Sequence, residues 1–383
     1  MKRYITVFFY ETMEPVFLYK DTGSIALALA KYYKWKTTFA YLNICGNIQD
    51  SSYERYVELK PIKYNRNKFI KWINIIKFIW QESPKYDVIN FYFGGRTELV
   101  LAFIAKISNP QIKVYIKMDL LKDKYLRQIN TDKKLLVILL QFFSGLLSKT
   151  VDLYTVECKA YVDGLNNIKR FKNKIKYLPN GYFNDLVNIN ENIKKEKIIL
   201  TVGRLGTVEK NTEMLVQAIE NIDYKIIKDW KVYLVGSTTD NFKNYILNVF
   251  YNKPYLRDIV IITGNISNKT QLYKIYAQSS IFVLPSIWES WGLALTEAMS
   301  FGCYPIVTDC NDVFKEILNY GDSGFAKIIP SKDVMALQEA IEDAILNNVD
   351  YMNKGQQAKK FTESNLNYKN ISRQLNYYLI KLL

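Results

Sequence analysis

Within SIWESWGLALTEAMSFG, residues 286–302, Glu289 and Glu297 stand eight positions apart. Glu289 sits among Trp, Ser and Gly, and Glu297 lies inside an apolar helical pattern. At 3.6 residues per turn, eight positions is a little over two turns, so the carboxylates share one side but stay well apart. That separation suits two hydroxyl-rich groups at the ends of an extended ligand, a sugar and a ribose, and does not suit a shared metal. Gly292 lets the backbone approach a ligand, and the helix start after it offers N–H groups to phosphate. The competing reading makes Glu289 a helix cap and Glu297 a buried acid satisfied by a protein partner.

Two cations accompany the carboxylates. Val202-Gly203-Arg204-Leu205 ends a strand-like run, and Glu209-Lys210-Asn211 opens the next helix. Arg204 and Lys210 beside a helix N-terminus form a site for a diphosphate. Taken alone, such a pair also reads as solvated surface charge. Thr308-Asp309 follows a further strand, and Glu316 lies in the next helix. Each signal is weak singly; their order on successive βα connections is not.

Other chemistries are excluded. The chain has no histidine, which removes imidazole bases, nucleophiles and metal ligands, and with them a Ser–His–Asp hydrolase. No GxGxxG follows a strand, since Gly203-Arg-Leu-Gly206 lacks the last glycine, so a dinucleotide oxidoreductase is disfavoured. No GxxxxGK[ST] and no Asp-x-Asp pair occurs, which leaves a metal-clamped nucleotide without a candidate site. No metal and no cofactor are expected.

The elements that carry these residues alternate. YITVFFY, a helix over 23–33, TTFAYLN, DVINFYF, a helix over 96–107 and KVYIKMD set a βαβ rhythm. VDLYTVE and the turn YLPNGYF follow. NINENIKKEK reads as a polar linker, after which KIILTVGRL, WKVYLVGS, IVIITGN, SIFVLPS and CYPIVTD restart the rhythm. The 383 residues thus form two Rossmann-like domains of an α/β chain, with a ligand expected in the cleft between them. Expected boundaries are 1–188 and 189–365, with 366–383 a C-terminal helix crossing back to the first domain. The apolar run 135–147 is broken by Gln141, Ser144 and Gly145 and reads as a buried helix. MKRYITVFFYETMEP reads as a first strand rather than a signal peptide. Cys45, Cys158, Cys303 and Cys310 show no disulfide or CxxC pattern, which suits a reducing cytoplasm.

Charge is uneven. Residues 1–190 hold 30 Lys/Arg against 16 Asp/Glu, and residues 191–383 hold 22 against 21. A basic first half steers an anionic membrane or an anionic substrate; an AT-rich genome that favours Lys is the bland explanation. In RNKFIKWINIIKFIWQ, residues 66–81, Lys68, Lys71, Asn74, Lys77 and Gln81 form a narrow polar stripe and the rest is apolar. Such a helix either packs under the DVINFYF strand, the slightly favoured expectation, or lies in a membrane interface. The aromatics fall in periodic apolar segments, so nucleic acid is not an expected partner.

The second half resembles the retaining GT-B glycosyltransferases of the large "group 1" family, often called family 4. VGRL…EKN, WKVYLVG, ITGNIS, LYKIYAQSSIFVLPS and Glu289-x7-Glu297 in ESWGLALTEAMSFGCYPIVTD carry the likeness over roughly residues 198–320. Lys20-Asp-Thr-Gly23-Ser24 resembles the family's glycine loop, and YLPNGYF its Pro-Asn-Gly turn. The resemblance implies a GT-B fold and transfer of a sugar, with retention, from a UDP- or GDP-linked donor. Arg204 and Lys210 would hold the donor diphosphate, with Gly203 beside them and Gly23 closing over it. Glu289 would contact the donor sugar, the backbone of Ser290, Trp291, Gly292 and Leu293 the sugar and phosphates, and Glu297 the ribose. Gly264, Asn265 and Ile266 would line the base pocket. In this family the departing diphosphate oxygen is thought to take the acceptor proton on the same face, so no protein nucleophile is needed. The catalytic set is then Glu289, Arg204 and Lys210.

Two departures stand out. Many relatives carry a histidine where KVYIKMDL stands here, so Lys117 or Asp119 would fill that region, with Lys20 a further sugar or acceptor contact. The usual glycine pair after Thr-Asp is Cys310-Asn311-Asp312. A glycan acceptor, polyprenyl-diphosphate-linked, and peripheral attachment to the inner membrane face are expected. The setting would be bacterial surface polysaccharide or glycoprotein glycan synthesis. The rivals are a non-catalytic GT-B partner subunit and a GT-B UDP-sugar epimerase.

Overall fold

The structure, a computed structural model, describes residues 1–11, 14–44, 46–119, 145–183, 193–310, 312–318 and 324–383. Cys45, Asn311 and most of the run 135–147 lie outside the described residues. The chain divides into two compact units, residues 1–181 with 368–383, and residues 182–367.

The first unit is built on seven parallel strands: β1 (Arg3–Phe8), β2 (Lys36–Asn43), β3 (Val57–Lys63), β4 (Val88–Tyr92), β5 (Lys113–Met118), β6 (Leu153–Val156) and β7 (Ile175–Tyr177). Their order is β3-β2-β1-β4-β5-β6-β7. β1 and β4 are buried almost throughout, as strands covered on both faces by helices must be. The chain's last helix, Tyr368–Leu382, belongs to this unit and packs on the helix Asp21–Tyr33. Trp35 Nε1 donates to Asn376 Oδ1 there at 2.8 Å.

The helix Lys68–Glu82 departs from the expectation of a core helix. Only Ile75, Ile79 and Glu82 are buried. Phe69 is 74% exposed and Trp80 51%, with Ile73 and Ile76 also exposed. The polar stripe is partly turned inward instead: Lys71 pairs with Glu11 at 2.6 Å, and Asn74 donates to the Lys63 carbonyl at 3.1 Å. A stripe of hydrogen-bonding groups satisfied by the neighbouring loops leaves the wider apolar face to the outside.

The second unit holds six parallel strands: β8 (Glu196–Val202), β9 (Lys231–Val235), β10 (Val260–Gly264), β11 (Ser279–Leu284), β12 (Tyr304–Thr308) and β13 (Lys327–Ile329). Their order is β10-β9-β8-β11-β12-β13. Strand order reverses between β8 and β11, which are hydrogen-bonded neighbours. The connections leaving these two strands run to opposite sides, so a crevice opens at their carboxyl ends.

Candidate functional site

Arg204, Lys210 and Glu289 stand at that crevice. The loop after β8 is shaped by glycine. Gly236 has φ +141, and a Cβ on it would lie 1.7 Å from the Gly203 carbonyl oxygen. The two backbones can touch only where no side chain intervenes. Gly203 N–H donates to the Val235 carbonyl at 2.9 Å, which locks the end of β8 to β9. The Lys210 side chain then runs across Gly203, where an added Cβ would meet Lys210 Cε at 3.4 Å.

Lys210 Nζ pairs with Glu289 Oε1, and both groups are mostly buried. Glu289 also accepts from Ser286 Oγ at 2.9 Å. Ile287 N–H donates to the Glu209 carbonyl at 2.8 Å, tying the loop after β11 to the loop after β8. Burial, and next the nearby Glu289 carboxylate, push the Cys310 thiol up to about 12. Arg204 is the outermost member: its guanidinium pairs with Glu209 at 2.5 Å and is 67% exposed. The arrangement presents a shielded ammonium and a solvent-facing guanidinium on one loop, as a diphosphate would use them.

Glu289 is not a helix cap. The helix Leu293–Ser300 starts at Gly292 with φ +83 and has no side-chain cap. A Cβ on Gly292 would meet Phe314 Cε1 at 2.7 Å. Leu295 and Thr296 donate to the Gly292 carbonyl at 2.9 and 3.3 Å; the N–H groups of Leu293 and Ala294 come before those bonds and face outward from the helix end. The Trp291 ring is buried, and its Nε1 donates to Thr296 Oγ1 at 3.1 Å. Only the Trp291 backbone is left for a ligand.

Glu297 has found protein partners. Lys269 Nζ lies 2.7 Å from Oε1, and the Tyr276 hydroxyl donates to Oε2 at 3.2 Å. Lys269 and Tyr276 come from the helix Lys269–Gln278. So each glutamate is held by a lysine, one at each end of the helix start. Lys269, Tyr276 and Ser286 were not among the expected site residues. Their spacing carries no signal, because elements distant in sequence must pack before their side chains meet Glu289 or Glu297. Gly264, φ +72, has open space where a Cβ would be, and its carbonyl accepts from Gly236 N–H at 2.9 Å. Asn265 is exposed and Ile266 half-buried. Asp309 pairs with Lys315 at 3.2 Å on the surface.

The remaining candidates lie in the first unit. Gly23 has a local reason to be glycine: a Cβ would fall 2.3 Å from the Leu18 carbonyl oxygen. Lys20 Nζ sits 4.1 Å from the centre of the Phe17 ring. Lys117 is fully buried on β5, not a surface lysine, and Asp119 follows it. Among the described residues no group of three His, Cys, Asp or Glu is placed to hold a metal ion.

The profile of the family "Glycosyl transferases group 1" matches residues 184–361. An uncharacterized glycosyltransferase of Methanocaldococcus jannaschii is 31% identical over 129 residues, 34% of this chain and 31% of that protein. The matched stretch spans only about a third of the curated relatives' length. Among solved structures, the sucrose-phosphate synthase of Thermosynechococcus elongatus has a TM-score of 0.71 at 16% identity, over 100% of this chain and 99% of that one. HepE of Anabaena, solved in complex with UDP, has a TM-score of 0.71 at 13% identity, over 100% of both chains. The two parallel-sheet units therefore have the GT-B fold, and residues 184–361 are similar to the group 1 glycosyltransferases.

Proposed function

We propose that the protein is a retaining glycosyltransferase that moves a sugar from a nucleoside-diphosphate donor to a glycan acceptor. The observation that carries this reading is the pair of lysine-held glutamates, Lys210–Glu289 and Lys269–Glu297, flanking the helix start at Gly292–Leu293. Lys210, Arg204 and the helix N–H groups stabilise negative charge on the departing diphosphate. Glu289 orients the donor sugar and holds Lys210. Glu297 and Lys269 meet the ribose hydroxyls, and backbone at 264–266 meets the base. No step asks for a protein nucleophile or a metal. The UDP complexes of HepE support a uridine donor by likeness of fold.

Thermal-shift screening of UDP-, GDP- and ADP-sugars tests the reading, since a bound nucleotide raises stability with its affinity. One series is expected to stabilise the protein. Glu297→Ala should weaken that binding about tenfold, a lost charged hydrogen bond. Glu289→Ala should lower turnover more than affinity. Wild-type activity in both variants would refute the site. No turnover or hydrolysis of any donor by wild type would favour the non-catalytic partner subunit.

The acceptor is proposed to be lipid-linked and the protein to dock on an anionic membrane. Phe69, Ile73, Ile76 and Trp80 recur at helical spacing on one exposed face. The helix Arg96–Ser108 packs beside it and exposes Val100, Phe103 and Ile107. Ser108 Oγ donates to the Trp80 carbonyl at 2.6 Å, so the two stripes adjoin. Exposed Lys68 and Lys77 border them, a combination suited to anionic headgroups over acyl chains. Among the described residues no helix is long and apolar enough to cross a membrane. Co-sedimentation with vesicles containing anionic lipid at low salt is expected for wild type and lost in Phe69→Glu/Trp80→Glu. Absence of binding by wild type would remove the proposal.

A further inference from the structure

Over residues 279–308 the second unit covers every residue at least in part, with one exception, Trp288. The two tryptophans of SIWESWGL take opposite places. Trp291 is buried and its indole N–H is satisfied by Thr296. Trp288, directly before Glu289, is 44% exposed in the loop after β11. Along residues 201–210, the loop after β8 exposes Arg204 and Val208, the latter at 70%. The hydrogen bond from Ile287 N–H to the Glu209 carbonyl joins these loops. Val208 precedes one end of that bond and Trp288 follows the other. The rim outside the mostly buried Lys210–Glu289 pair is therefore an indole, a valine and a guanidinium.

Scattered apolar side chains on a surface are ordinary. An indole placed outside a stretch that is otherwise covered, one residue from a buried ion pair, is not scattered. Tryptophan offers a large flat apolar face and a polar tip, at the cost of ordering few torsions. A lipid chain would need a continuous apolar track, and here the guanidinium interrupts it. A bare phosphate would use Arg204 and leave the indole idle. A pyranose ring meets both: its C–H face covers the indole, and the hydroxyls on its edge accept from the guanidinium. The donor sugar is assigned to the shielded Glu289, so the exposed ring outside it faces the incoming group.

We infer that Trp288 is a stacking platform for a pyranose ring of the acceptor, with Val208 beside it and Arg204 at the ring's edge. The group that receives the transferred sugar is then itself carried on a sugar, and not directly on a lipid phosphate or a protein side chain. The inference rests on the reading of the protein as a glycosyltransferase with a nucleotide-sugar donor and a glycan acceptor. A stacked ring is held alike before and during transfer, so Trp288 governs acceptor affinity and not the rate of the chemical step.

Saturation-transfer NMR on the full chain tests it, with methyl glycosides of glucose, galactose, mannose and N-acetylglucosamine at saturating UDP. At least one glycoside is expected to bind, and to stay bound when UDP is replaced by the UDP-sugar of the same hexose. Trp288→Ala should weaken it about tenfold, close to the upper value for one stacked ring, while UDP affinity and melting temperature stay as in wild type, as for an exposed site. Trp288→Phe, which keeps a ring, should retain most of the affinity. Tyr251→Ala removes another exposed aromatic of this unit and should change nothing. Displacement of the glycoside by the UDP-sugar would place the ring in the donor site and overturn the inference. So would UDP binding with no glycoside bound, glycoside binding unchanged in Trp288→Ala, or an equal loss in Trp288→Phe. Glycoside binding that depends on Trp288, without any nucleotide binding, would keep the platform and sink the nucleotide-sugar reading instead.

Discussion

Lys210→Met is expected to lower kcat by about 10²–10³, the usual loss when one preorganised charge on a developing anion is removed. Lys210 is the shielded cation of the loop after β8, held in place by Glu289 and by contact of its stem with Gly203. A fixed ammonium needs little reorganisation as the diphosphate departs. Methionine keeps the stem and its packing but not the charge, so folding should be retained. Removing the lysine also strips Glu289 of the cation that neutralises it, and a mostly buried carboxylate would then face the donor. Arg204→Met should cost less, because its guanidinium is 67% exposed and already screened by water. Steady-state kinetics with the donor found by thermal shift decide the matter. A change in KM alone would show that Lys210 binds the ground state and not the transition state, and an equal loss for both variants would show that shielding does not set the size of the effect.

The second large effect is structural. Gly236→Ala is expected to destabilise the second unit by about 3 kcal/mol or more, since the added methyl cannot coexist with the Gly203 carbonyl. For a unit of this size that is a fall in Tm of roughly 6–12 °C. Donor binding should fall with it, because the displaced loop carries Arg204 and Lys210. Gly264→Ala supplies the comparison. Its φ is also positive, but a Cβ there meets open space, so only the left-handed backbone cost of about 1–2 kcal/mol applies. Equal melting temperatures for the two variants would mean that the 203–236 contact is not what seats the loop.

The parallel sheets were legible along the chain because a strand buried on both faces must be an unbroken apolar run, as in ILTV before Gly203 and IFVL before Pro285. Arg204, Lys210 and Glu289 were legible as candidates because they sit on strand-to-helix connections, whose place at the carboxyl ends follows from the βα alternation, and Glu297 because it lies in the first turns of the helix that follows one of them. Pairing was not legible. Which lysine holds which glutamate depends on β8 lying beside β11 and on the helix Lys269–Gln278 packing against Leu293–Ser300, contacts between residues far apart in sequence. Helical spacing marked an apolar face on residues 66–81 but was silent on whether protein covers it, since periodicity encodes a direction and not a neighbour. For the same reason the sequence did not show that Lys117 is fully buried on β5. Residue types and local periodicity determined the fold class, the chemistry excluded by a chain without histidine, and the loops that carry the candidate residues. Only the tertiary structure decided partners and burial, because both depend on atoms brought together from separate elements.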